Sequence, residues 1–378
     1  MYQLQQILMQ KIIEKETMIE KPSRILEIDF GRGLAVFLMM IVHTLWMYGD
    51  VATQSNSWLG IAIHIIGKGT AAFLVAMGIS LVISKPTSLL VSLQRAAILL
   101  FLAYWMNFLK FIVPLEIFGT MPEEFVNAYG LSSPLTFPQL RYIFLTGDIL
   151  QMAAIALIFI SIIQKYVHSK LGLLGIALFI TASSRFISGY QPGIDGLDYL
   201  AKLFFSNHYQ VYFPLFPWMS FILFGMFLGK LIQEKQTDKG YMFSKLPKLA
   251  IISLLIGGVL CAWDFEYHFG NFFHLGPGGT LYLLGINLAL LWLVHKIVSS
   301  GHTSLFTRFL YFCSERVTSM YIIQWTVICW GMGIIGYQQL NTAQVLAMIP
   351  IVIVCTLSIQ QLKDKLALKE NISLLLNR

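Results

Sequence analysis

Apolar runs of about 20 residues, each closed by a short polar break, recur from Ile28 almost to the C-terminus. Each is long enough to cross a hydrocarbon layer of about 30 Å as a helix. The pattern predicts membrane helices at 28–49, 58–83, 94–117, 141–164, 171–190, 213–233, 249–266, 279–297, 317–336 and 343–362. The expected fold is therefore all-α: a polytopic integral membrane protein of about ten transmembrane helices around a central cavity. Residues 1–27 read as a cytoplasmic amphipathic segment, 28–362 as the transmembrane domain and 363–378 as a cytoplasmic tail. No internal repeat, low-complexity tract or separate soluble domain interrupts the series.

Composition strengthens this picture. Of 378 residues, 57% are hydrophobic and only 12% charged, against roughly 25% charged in a soluble domain. The mean hydropathy is +0.70. Lys11, Glu14, Lys15, Glu16, Glu20, Lys21 and Arg24 break up the first segment, so a cleaved signal peptide is not expected there. The net charge of +7 does not imply nucleic acid, because inner loops of membrane proteins collect Lys and Arg. Twenty of the 26 basic residues fall in the tails and in the turns near 84–95, 165–170, 230–248 and 296–308. That asymmetry places both termini in the cytoplasm, and the cell membrane is the expected location. Four cysteines without metal-ligand or CxxC spacing read as packed free thiols, and no metal is expected.

Ionisable groups at membrane depth are costly and mark candidate sites. Arg32 and His43 stand eleven residues apart, about 20° from one helical face and roughly 16 Å apart along the axis. Asp29 is placed to pair with Arg32, and Gly31 and Gly33 thin the helix for close approach. In the next span His64 and Lys68 share a face at i, i+4, followed by Gly69 and Thr70. With His43 they are expected to meet in one cavity. Arg141 and Asp148, seven residues apart, are expected to be nearly eclipsed and paired, with acceptor binding as the other reading for Asp148 and Gln151. Arg185 and Gln324 are further candidates for acceptor binding. The longer connections 118–140 and 191–212, rich in Pro, Gly, Asn and aromatic residues, are expected to lie outside, either as a vestibule or as plain connections.

The string Ile-Asp-Phe-Gly-Arg-Gly-Leu-Ala-Val-Phe-Leu-Met-Met-Ile-Val-His over residues 28–43 resembles the first-helix signature of the transmembrane acyltransferases. That superfamily includes acyltransferase family 3 and the heparan-alpha-glucosaminide N-acetyltransferase catalytic domain. Further resemblance to the second branch lies in Gly69–Ser80, in Gln94-Arg95-Ala-Ala and in Phe213–Gly229. A second catalytic residue of the family has no clear counterpart in Gln54-Ser-Asn-Ser-Trp58, and beyond about residue 250 only the hydropathy is similar.

The resemblance implies transfer of an acetyl or other acyl group from acyl-coenzyme A to a hydroxyl or amine of a surface glycan, with His43 catalytic. Lys68 and His64 would assist; Arg32, Asp29 and Arg95 would hold the acetyl-coenzyme A donor. The partners implied are the lipid bilayer, the donor and a glycan acceptor, with a second copy of the chain as a further candidate. Chemistry supports the same assignment, since a histidine can accept the proton of an attacking hydroxyl or amine, or become acylated itself. Lys68 or a backbone amide near Gly69 is the expected oxyanion donor. The competing reading is a proton-coupled secondary transporter, which predicts an internal inverted symmetry that the sequence does not display.

Overall fold

Among the described residues of a computed structural model, 25–84, 88–194, 196–234, 239–301 and 304–376, the secondary structure is helical, and side chains are described through 368. The amphipathic segment expected over 1–27 lies outside the described residues as far as 24. Helix α1 (Leu26–Tyr48) is free of proline and rich in Leu and Met, and ends where Gly49 turns to extended backbone. It occupies the middle of the molecule. Val36, Met40, Leu45 and Tyr48 are buried, and the Tyr48 hydroxyl donates to the Ile328 carbonyl at 2.9 Å.

After α1 the chain forms α2 (Trp58–Gly67), α3 (Thr70–Ile83), α4 (Leu89–Asn107), α5 (Ile149–Tyr166), α6 (Lys170–Ser183) and α7 (Leu215–Glu234). They are followed by α8 (Lys239–Trp263), α9 (Pro277–Ser299), α10 (Leu305–Glu315), α11 (Val317–Ile335) and α12 (Thr342–Leu376). Nine spans among the described residues are long and apolar enough to cross a bilayer, α2 and α3 forming one of them. The chain is thus an all-α polytopic membrane protein. The expected span 171–190 is instead the 14-residue α6, only about 21 Å long. Its last turn stops at Ser183 and Ser184, ahead of Gly189 at φ +80°.

Close backbone contact fixes the central pairing. A Cβ on Gly78 would fall 1.9 Å from the Ile222 carbonyl oxygen, and one on Gly225 would fall 2.1 Å from that of Val75. Lipid supplies no hydrophobic drive between helices, so small residues that let backbones touch do this work. Gly33 does the same for α1, its Cβ direction filled by the Leu310 carbonyl at 1.9 Å. Gly31 differs, with nothing among the described residues within 4 Å.

Three expected helices are broken, and each break matters. The span predicted at 58–83 turns at Lys68 and Gly69. The span at 94–117 passes into a π-helix over Phe108–Ile117. In an α-helix the Lys110 carbonyl would take its bond from residue 114, which is proline and has no N–H, so the wider turn relieves that loss. The span at 141–164 is split into Phe137–Phe144 and α5, with Gly147 bridging to Val211 between them. Finally, α12 continues past the expected end at 362. There Asp364 takes a bond from Arg316 Nε at 2.6 Å and another from Gln360 at 2.8 Å.

Candidate functional site

One cavity of about 1060 Å³ follows α1 from Ile28 to Met47, a rise of about 28 Å. That is close to the thickness of a hydrocarbon layer. Toward the Leu26 end its wall is apolar, with Phe30, Gly31, Leu34 and Leu293. Toward the Tyr48 end it is aromatic and polar, with Trp46, Gln54, Tyr209, Tyr212 and Gln338. Burial pushes the Tyr212 hydroxyl up to about 12, so it stays a neutral donor, 3.3 Å from the Tyr129 hydroxyl.

His43 lies in this wall, buried at 7% exposure, and its ring stacks on Trp325 with centroids 4.1 Å apart. Trp46 and Tyr321 flank it at 5.8 and 5.9 Å. Its Nδ1 is enclosed and has no hydrogen-bond partner among the described residues. His64 and Lys68 line the same cavity, as does Asp148. Lys68 does not reach for a surface: its Nζ sits 4.5 Å from the Phe272 ring centre and 5.0 Å from that of Phe269. Where the helix breaks, the Lys68 carbonyl accepts from Asn287 Nδ2 at 3.1 Å.

Asp148 does not pair with Arg141, the partner that even helical spacing implied. The break after Phe144 destroys the eclipsed geometry and makes Asp148 the N-cap of α5, its Oδ1 accepting from Ile149 N at 2.7 Å. Its partner is Lys110, at 3.2 Å, both side chains being nearly fully buried. Tyr321 donates to the other carboxylate oxygen at 3.0 Å. Asn107 holds the break open by donating to the carbonyls of Phe144 and Thr146 at 2.8 and 2.7 Å. Gln151 completes the cap, its Oε1 accepting from Asp148 N at 3.0 Å, and so serves the helix end rather than the cavity wall.

Other expected site residues are dispersed. Arg32 stands 4.0 Å from Asp29, as its spacing implied, and Asp29 also accepts from Ser314 at 3.2 Å. Neither lines the cavity, although the neighbouring Gly31 does. Arg95 is exposed on α4, and Arg185 lies over the Tyr267 ring at 5.6 Å. Gln324 is fully buried, both its side-chain polar atoms without a partner among the described residues, and it is beside but not in the wall. Lys110 and Tyr321 escaped the sequence reading. The signal for Lys110 is present in the sequence: a lysine inside the apolar run Phe108–Leu115 is an ionisable group at membrane depth.

Residues 24–259 match a family profile described as heparan-alpha-glucosaminide N-acetyltransferase, catalytic. The comparison with curated proteins finds no match. The matched stretch carries the α1 motif, the reciprocal Gly78 and Gly225 contacts, and the Lys110 and Asp148 pair, and it spans well over half of the chain. The chain therefore belongs to the heparan-alpha-glucosaminide N-acetyltransferase catalytic family.

Proposed function

We propose that this protein is a membrane acetyltransferase that takes an acetyl group from cytoplasmic acetyl-coenzyme A and places it on a hydroxyl or amine of an extracytoplasmic glycan. One observation carries the reading: a single cavity runs the length of α1, and His43 lies in it toward the Tyr48 end. A cytoplasmic donor and an outer acceptor are separated by the bilayer, and such a passage lets them meet at one side chain. The family match supports the reaction class.

In this mechanism His43 takes the proton of the attacking acceptor group. Stacking on Trp325 holds the imidazole plane, and a positioned ring is what a general base requires. The apolar wall near Phe30 and Leu34 suits the flexible arm of the donor, and Arg32, outside the wall but next to the cavity-lining Gly31, suits its phosphates, which guanidinium binds bidentately. The aromatic wall formed by Trp46, Tyr209 and Tyr212 suits the apolar face of a sugar ring. Both termini lie on the cytoplasmic side, by the distribution of basic residues.

Incubating the purified protein with radiolabelled acetyl-coenzyme A and a mixed pool of amino sugars and oligosaccharides tests the activity. The expected result is protein-dependent label in an acceptor fraction. Absence of label from every acceptor, with the protein folded, overturns the reading.

A further inference from the structure

The Lys110 ammonium is the cation most tightly built into the site. Its side chain is 4% exposed, bonded to Asp148 at 3.2 Å, and it lies 4.7 Å from the Trp325 ring centre and 4.6 Å from that of Phe111. Trp325 is the same ring on which His43 stacks at 4.1 Å. A lysine has three N–H donors, and among the described residues Asp148 is its one hydrogen-bond acceptor. Lys110, Asp148, Trp325 and His43 all line the cavity. The π-helical turn forced by Pro114 and the broken helix before α5 bring these groups together. Two departures from regular helix thus converge on one ion pair.

The geometry points to Lys110 as the donor that holds the oxyanion of the acetyl transfer, with Asp148 and Tyr321 as the residues that position it. This role rests on the acetyl-transfer reading above. The acceptor oxygen or nitrogen adds to the thioester carbonyl carbon, the π pair moves onto the carbonyl oxygen, and the acceptor proton passes to His43. A free Lys110 N–H meets the charge that develops on that oxygen. Collapse re-forms the carbonyl, breaks the carbon–sulfur bond and expels the thiolate, which takes the proton back from the His43 imidazolium. A fixed cation in a nearly dry site needs little reorganisation as charge develops, and this is where such donors act most strongly. Lys68 is less suited, because it is less buried than Lys110 and among the described residues has no carboxylate to position its amine.

A lone Lys110→Met change strands the Asp148 carboxylate and risks misfolding. The test therefore adds the double variant Lys110→Met/Asp148→Asn, which removes both charges and leaves an acceptor for Tyr321 and Ile149. Wild type and double variant are compared for kcat and KM with acetyl-coenzyme A, alongside thermal melting in detergent. The expected result is a folded double variant with kcat lowered about 100-fold and donor KM changed less than about threefold. A folded double variant with wild-type kcat would show the pair to be structural and overturn the proposal, leaving the acetyltransferase reading intact. Failure of the wild type itself to transfer acetyl from the donor overturns that reading instead.

Discussion

His43, Lys110 and Asp148 show how much a few side chains depend on their immediate partners. Asp148 accepts from Lys110, Tyr321 and the Ile149 amide, so its buried charge is neutralised on every side. Removing one of those bonds leaves the carboxylate short of a donor. Tyr321→Phe is expected to destabilise the protein by about 1–3 kcal/mol, read as a lower melting temperature in detergent. Unchanged melting would mean that the hydroxyl contributes nothing. Arg32→Ala is expected to raise the KM for acetyl-coenzyme A about tenfold with kcat nearly unchanged, because a phosphate contact far from the reacting carbonyl adds uniform binding. Equal loss in kcat would place Arg32 in the chemistry instead. His43 as a candidate was legible in the sequence, since a histidine inside an apolar run invites a question that a loop histidine does not, and it lines the cavity. The ion pair was not: continuous helix would set Asp148 against Arg141, and only the break at 145–148 reveals Lys110 as the partner.

At the scale of helices, periodicity located nearly every span because an apolar run of sufficient length has one stable arrangement in lipid. Interruptions were harder to read. The turn at Lys68 and Gly69 contains no proline, and the π-turn at Lys110 precedes its proline by four residues. The glycines divide by environment, not by neighbours in sequence. Gly78→Leu would force a side chain into the Ile222 backbone and is expected to prevent recovery of folded protein from detergent. Gly31→Ala meets open space and should melt as the wild type does. Size-exclusion profiles and melting curves of the two variants distinguish them; similar behaviour would contradict the packing of α3 against α7.

At the scale of the whole molecule, the account requires the two ends of the cavity to face different compartments. Asn127 and Ser132 are exposed near the Tyr48 end of the sequence-predicted topology, whereas Ser299 and Leu305 are exposed on the other side. Single cysteines at Asn127 and Ser132 should label with an impermeant maleimide in intact cells, and cysteines at Ser299 and Leu305 only after permeabilisation. Labelling in the reverse pattern would invert the orientation. The central claim is that acetyl transfer across this barrier depends on His43 as the base. The most direct measurement uses proteoliposomes with labelled acetyl-coenzyme A on the side of the termini and glycan acceptor on the other, comparing wild type with folded His43→Ala. The account predicts labelled acceptor with the wild type and none above background with the variant; transfer by folded His43→Ala at the wild-type rate would contradict it.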